Sequence, residues 1–191
     1  METKEKNARL LTTKEMVLCG MFTALVAVGA FIQIPVPYMD YFTLQFFFVL
    51  LAGIVLGGKI GAVAVGVYVL LGLLGVPIFA AGGGIGYVLR PSFGYLVGFI
   101  VTAYVTGTLC RKMKNTYAGY LAACLAGLVV TYVIGIAYKF MILNLYMKTP
   151  TPILVIFLSC FPLDMPGDFV LCLAASAVGK RLRAYVERER L

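Results

Sequence analysis

Long apolar runs follow one another along nearly the whole chain, and the breaks between them are glycine, proline or clusters of lysine and arginine. A chain built this way cannot cover itself with polar surface in water, so its outer face must meet lipid, where helices close their own backbone hydrogen bonds. The numbers agree: of 191 residues, 62% are hydrophobic and only 13% charged, against roughly 25% charged in an ordinary soluble domain. The length fits one domain, an all-α integral membrane domain over 1–191.

A membrane-crossing helix needs roughly 20 mostly apolar residues. Six candidates are read: Met16–Ile34, Thr43–Leu56, Ile60–Leu74, Pro91–Leu109, about Ala118–Asn144, and a last helix from Asp164–Pro166 to Arg183. The second and third are short, joined by a tight Gly57-Gly58-Lys59 turn, and call for a thinned bundle. Ile153–Phe161 is read as a short re-entrant or interfacial piece. The opening Met1–Lys14 resembles the start of a signal peptide, but the run behind it is long enough to span and no A-x-A cleavage site follows. Residues 1–15 are therefore an N-terminal segment, 16–183 the six-helix bundle and 184–191 a tail.

Charge gives the orientation. Six spans place both termini on one side, and that side receives all of the 16 lysines and arginines except Arg90, Lys139 and Lys148. The positive-inside rule then puts both termini in the cytoplasm of a multi-pass cell-membrane protein. The net charge of +8 reflects this bias. No basic stretch interleaves with aromatics as a nucleic-acid surface requires. The five cysteines stand singly, none in a CxxC, and there is no histidine, so neither a metal site nor histidine-dependent catalysis is expected.

Glycine and rare polar residues locate the site. Gly75–Arg90 is apolar yet crowded with glycine, and backbone that irregular must be buried in protein or line a cavity. Under the six-span topology Asp40, Tyr41, Gln45, Tyr87, Arg90, Lys139, Asn144, Asp164 and Asp168 share the outer half of the bundle. Ionisable groups in a membrane are costly and mark sites by default. An Asp168–Lys139 salt bridge is the structural alternative. The pocket so defined is closed by the first loop and by the glycine-rich third loop, where Gly82 and Gly84 allow close backbone approach. Phe79, Tyr87 and Phe93 are its expected apolar walls. Arg90 suits a ligand carboxylate and Asp168 suits N–H donors, so the ligand has an anionic tail and an N–H-bearing head.

Two motifs are rejected. Gly53 to Lys59 fits G-x-x-x-x-G-K, but Ile60 stands where Ser or Thr must bind magnesium, so the chain carries no ATPase. Asp164 and Asp168 lie four apart in one segment, whereas paired catalytic carboxylates face each other across a cleft; no catalytic residue and no cofactor are expected. In the first helix Gly20 pairs with Ala24, and Thr23 with Ala27, at the spacing of close helix contacts. These serve bundle packing or a partner-docking face.

Thr43-Leu44-Gln45, the run LAGIVLGGKIGAVAVGVYVLLGLLGVPIFAAGGGIG, then RPSFGYLVGF and PGD resemble the BioY family, the biotin-specific substrate-binding (S) components of energy-coupling-factor (ECF) transporters. The resemblance runs from the first helix to the sixth. It implies an S-component-like bundle of six helices and biotin capture from outside without catalysis. It also implies docking, through small residues of the first helix, onto a transmembrane coupling protein with two ATPases. The family's TLQ glutamine falls on Gln45, its PGD aspartate on Asp168 and its glycine-rich loop on Gly82–Gly86. Leu171 stands where many members carry a lysine three residues after that aspartate, and Lys139 is the candidate replacement. Composition does not separate biotin from another small vitamin, so an S component for another vitamin is the alternative. A self-sufficient secondary transporter is the rival from another class, and it would need an ion or proton path through the cytoplasmic half, which lacks intramembrane ionisable residues.

Overall fold

The computed structural model describes residues 12–34, 42–113, 115–160 and 164–188. Seven α-helices make up almost all of it: α1 (Thr13–Phe31), α2 (Gln45–Leu56), α3 (Gly58–Leu73), α4 (Phe93–Lys112), α5 (Tyr117–Met141), α6 (Ile153–Ser159) and α7 (Asp164–Arg188). A two-residue pair, β1 (Gln33–Ile34) with β2 (Phe42–Thr43), is antiparallel. A 3-10 turn (Ile85–Leu89) precedes α4, and a π-helical turn (Ile142–Tyr146) ends α5.

Local chemistry explains the boundaries, including those that move from their expected places. The first helix starts at Thr13 rather than Met16 because Thr12 and Glu15 form a capping box: the Glu15 N–H donates to Thr12 Oγ1 (3.2 Å) and the Thr12 N–H to Glu15 Oε2 (2.9 Å). It stops at Phe31, and the chain turns extended into β1. Gly57, at φ +86°, reverses the chain between α2 and α3 in a conformation other residues adopt at a cost. Thr116 caps α5 by accepting from the Gly119 N–H at 3.2 Å.

α2 is the hub. It packs against α1, α3, α4 and α7, and ten of its 12 residues are buried, as a helix apolar on every side should be. α4 and α5 run along each other as the most extensive helix pair. Three helices are long and apolar enough to cross a membrane: α1, α4, and α5 with its π turn. A fourth results if α6 and α7, inclined at 53°, form one broken span. The expected six segments are all present as helices, but α2 and α3, at 12 and 16 residues, fall short of a crossing by length. Exposed apolar side chains such as Val129, Val133, Leu154 and Leu158 cover the outside of the bundle. The chain is a multi-pass membrane protein.

The helices alternate in direction, which gathers the C-terminal ends of α1, α3 and α5 with the N-terminal ends of α2, α4 and α7. That end holds the candidate site. The other, called here the basic end, carries Lys59, Arg111, Lys112, Lys180, Arg181 and Arg183.

Candidate ligand-binding site

A cavity of about 570 Å³ opens at the end away from the basic residues. Every helix except α1 and α3 contributes to its lining. α4 supplies Tyr95, Leu96 and Phe99, with Ser92 just before its first turn, and α5 supplies Thr131, Tyr132 and Lys139. Both sets repeat at three, four, seven or eight residues, which is one face of a helix. α2 brings Gln45 and Phe46, α7 brings Asp164 and Asp168, and α6 closes one side with Val155, Ile156 and Ser159.

The polar groups divide into two sets. One is satisfied within the protein. Tyr132 Oη donates to Asp168 Oδ2 at 2.9 Å, and its ring meets that of Tyr95 edge-on, centroids 5.9 Å apart. The Tyr95 hydroxyl lies 3.2 Å from Cys160 Sγ. The hydroxyls of Thr131 and Thr102 are 2.6 Å apart, and Thr102 donates to the Gly127 carbonyl at 2.9 Å, sealing the floor. The second set is not satisfied: Gln45 Nε2, Ser92 Oγ and Asp164 Oδ1 are buried and make no hydrogen bond of good geometry among the described residues, although the Tyr68 hydroxyl neighbours the Gln45 amide. All three line this cavity. Leaving a buried polar group unpaired costs about 1–3 kcal/mol, so three together in one apolar-walled cavity mark groups held ready for a polar ligand.

Of the expected site residues, Gln45, Tyr87, Lys139, Asp164 and Asp168 are brought together around the cavity. Gly82, Gly84, Arg90 and Asn144 are not on its wall, and Tyr41, like Asp40, lies outside the described residues. Arg90 is exposed, its guanidinium stacked over the Tyr87 ring 5.2 Å from the centroid. Lys139 is thus the cation on the cavity wall. The Lys139–Asp168 salt bridge, the structural alternative, is not formed; Tyr132 donates to that aspartate, and the electrostatic neighbour of Lys139 is Asp164.

Gly82 and Gly84, at φ +109° and +103°, shape the third loop. The Gly84 N–H donates to the Gly72 carbonyl at 2.7 Å, and Phe79 and Gly82 form a small antiparallel bridge. This lays Ala80 and Tyr87 over the cavity. Phe79 and Phe93 are buried behind the wall; Phe42, Phe46, Tyr95, Phe99 and Tyr132 are the aromatics that line it.

Asn144 acts as a clasp. Its Nδ2 donates to the carbonyls of Phe140 (3.0 Å) and Thr151 (3.1 Å), and its Oδ1 accepts from the Thr151 N–H (2.9 Å). That holds Thr151 and the start of α6 against the cavity. Sequence reasoning missed Ser92, Tyr95, Thr131 and Tyr132 because it followed ionisable residues. Their shared helix faces were the signal available.

In the first helix, Thr23 is buried and its hydroxyl donates to the Ala64 carbonyl of α3 at 2.9 Å. Ala27 packs against the core, while Gly20 and Ala24 are exposed, with nothing near the Cβ position of Gly20. The small residues therefore divide into an inner and an outer face. Among the described residues no group of His, Cys, Asp and Glu could hold a metal ion.

Comparison with known proteins points one way. A family model described as "BioY family" matches residues 1–188. A curated relative from Lysinibacillus sphaericus, named "Probable biotin transporter BioY", is 40% identical over 172 residues, covering 90% of this chain and 87% of its own. "Biotin transporter BioY" of Thermotoga maritima is 46% identical over 134 residues, 70% of this chain and 76% of its own. Among solved structures, "Crystal structure at 2.1 A of the S-component for biotin from an ECF-type ABC transporter" superposes with a TM-score of 0.79 at 25% identity. It covers 91% of this chain and 95% of that one.

Proposed function

The chain belongs to the BioY family, and we propose that it is the biotin-capturing membrane subunit of an ECF-type ABC uptake transporter. The observation that carries this reading is the trio of unpartnered buried polar atoms, Gln45 Nε2, Ser92 Oγ and Asp164 Oδ1, on the wall of one aromatic-lined cavity. Biotin has a chemistry to match. Its ureido ring offers two N–H donors and a carbonyl, its ring sulfur and valeryl chain are apolar, and its tail ends in a carboxylate.

In this reading Asp168, oriented by the Tyr132 hydroxyl, and Asp164 accept from the ureido N–H groups, while Gln45 donates to the ureido carbonyl. Phe46, Leu96 and Phe99 enclose the apolar middle. Lys139 stands seven residues, two turns, beyond Tyr132 toward the cavity end of α5 and holds the carboxylate by a charge-assisted bond. This moves the carboxylate role from Arg90 to Lys139. Nothing in the arrangement is catalytic: the groups bind and orient, and transport energy comes from partner ATPases. No cofactor takes part.

All six long segments, α1–α5 and α7, cross the bilayer, with α2 shielded from lipid by its neighbours and both termini in the cytoplasm. The outer face of α1, at Gly20 and Ala24, is the surface for the coupling protein. Orientation is checked by cysteine labelling: Gly84→Cys should react with an impermeant reagent in intact cells and Lys112→Cys should not, and the reverse pattern would overturn the topology. The substrate is tested by mass spectrometry of what co-purifies from biotin-fed cells. Biotin at about one per chain is expected; a different vitamin in that place would reassign the substrate while leaving the family intact.

A further inference from the structure

The cations of the basic end fall into two kinds. Arg111 Nη2 donates to the Leu56 carbonyl at 3.0 Å and Arg183 Nη1 to the Cys110 carbonyl at 2.8 Å. Each thereby satisfies a carbonyl at or near a helix C-terminus, a common use of arginine. Lys180 and Arg181 do neither. They line a separate depression of about 360 Å³ with Asn115, Tyr117, Ala177 and Ala184.

The depression has a definite construction. Ala177, Lys180, Arg181 and Ala184 share one face of α7, at spacings of three, four and seven residues. The two alanines leave the space, and the two cations between them set its charge. Across it stands the start of α5, with the Asn115 amide and the Tyr117 hydroxyl, which donates only weakly to the Leu173 carbonyl (3.4 Å). Among the described side chains the carboxylates are Glu15, in the α1 cap, and Asp164 and Asp168, in the ligand cavity. None faces this depression. Its rim has apolar surface: Val178, three residues before Arg181 on the adjoining face of the same helix, is 40% exposed, and Tyr117 is 42% exposed.

A concave surface with two cations that meet no carboxylate among the described side chains, an amide and a hydroxyl, bordered by exposed apolar side chains, matches an amphiphilic anion. We propose that it binds the phosphodiester headgroup of an anionic phospholipid, with Lys180 and Arg181 on the phosphate and the acyl chains along Val178 and Tyr117. Basic pockets between helices at the cytoplasmic surface attract such headgroups. Arginine's fork suits the phosphate oxygens, while lysine adds a point charge on a flexible stem. The two sources of a phosphate group differ in the rim: a free anion gains nothing from Val178 and the Tyr117 ring, whereas a lipid does.

The experiment is native mass spectrometry of the delipidated full chain titrated with phosphatidylglycerol, phosphatidylcholine or inorganic phosphate. Thermal unfolding is followed on the same samples. One phosphatidylglycerol should be retained about tenfold more strongly than phosphatidylcholine, and it should raise the unfolding temperature where phosphate does not. Lys180→Gln/Arg181→Gln should abolish the preference, while Lys59→Gln/Lys112→Gln, which removes two exposed charges of the same end, should leave it. Ala177→Phe, which fills the depression and keeps both charges, should abolish it as well and covers the case in which the double variant fails to fold. Equal retention of the two lipids, or equal loss in both double variants, would reduce the effect to bulk charge and overturn the proposal. Stabilisation by phosphate equal to that by lipid would assign a free-anion site instead. Unchanged lipid retention with lost association of a coupling protein would give the face to a protein partner.

Discussion

The two ends of the bundle are made from the same helices by opposite rules. At the basic end α2, the start of α3 and α4 meet backbone to backbone. A Cβ on Gly53 would lie 2.6 Å from the Ala103 carbonyl oxygen, and one on Gly107 would run into the Gly53 carbonyl and the Gly58 amide. Polar groups in the interior there are closed off: Thr106 donates to the Ala123 carbonyl at 3.3 Å, and two arginines cap carbonyls. At the cavity end α4 and α5 are spaced by rings laid on glycines, Tyr95 against Gly135 and Tyr138 against Gly94. There three polar atoms are left open. Small residues and satisfied hydrogen bonds make a membrane bundle tight; bulky rings and withheld hydrogen bonds make it receptive.

The largest effect should come from breaking the tight end. Gly107→Leu must displace backbone on two sides, and overpacking costs about 1–3 kcal/mol even where side chains can shift. A fall in the unfolding temperature of at least about 6–12 °C, or loss of monodisperse protein, is expected, with ligand affinity in any folded fraction little changed. A fully stable Gly107→Leu protein would contradict the close packing described.

The receptive end should respond the other way. Removing a charged partner of a buried ligand costs about 2–5 kcal/mol, roughly thirty-fold to several-thousand-fold in affinity. Asp168→Asn should weaken biotin and biotin amide alike, because both keep the ureido ring. Lys139→Ala should weaken biotin and spare the amide. Calorimetric titration separates the two patterns; an equal loss of both ligands in Lys139→Ala would remove the lysine from the carboxylate role.

Ser92→Ala sharpens the contrast with a smaller signal. The hydroxyl has no hydrogen-bond partner among the described residues, so its removal should leave unfolding temperature unchanged or slightly raised. Affinity should fall only about two- to ten-fold, the worth of one neutral hydrogen bond. Destabilisation of the ligand-free protein would show that the hydroxyl has a structural partner.

The smallest change is expected for Arg90→Ala, at most about five-fold in biotin affinity, because an exposed charge is worth about 1 kcal/mol or less. A hundred-fold loss confined to biotin, with the amide spared, would return the carboxylate to Arg90.

Sequence reading reached the segments and the aspartates, and physical reasons separate these from what it missed. Apolar length and basic turns are strong one-dimensional signals, so each long segment was found; ends set by a capping pair such as Thr12 and Glu15 were displaced by up to three residues. Gln45, Asp164 and Asp168 stood out because polar groups are rare in such a chain. Arg90 and Lys139 could not be ranked without knowing that the 3-10 turn carries Arg90 outward and stacks it on Tyr87. Asn144 looked like a ligand group because nothing in the sequence reveals that its amide is committed to Thr151. The span count is weaker still, since α2 is buried on all sides and need not match the lipid thickness itself.

The π-helical turn at Ile142–Tyr146 carries a consequence for how this protein tolerates insertions and deletions. A π turn holds one residue more than the α-helical turn it replaces, so it is equivalent to a single-residue insertion absorbed without breaking the helix. Deleting one residue there would tighten the turn to α geometry and shift the residues inside it by one position, while the chain beyond keeps nearly its old direction. Leu143 would leave the cavity wall and Asn144 would lose Thr151, although no side chain that faces the ligand had been changed. Point substitutions in this stretch, Asn144 excepted, are mild by comparison. Length, more than residue identity, is what this turn constrains.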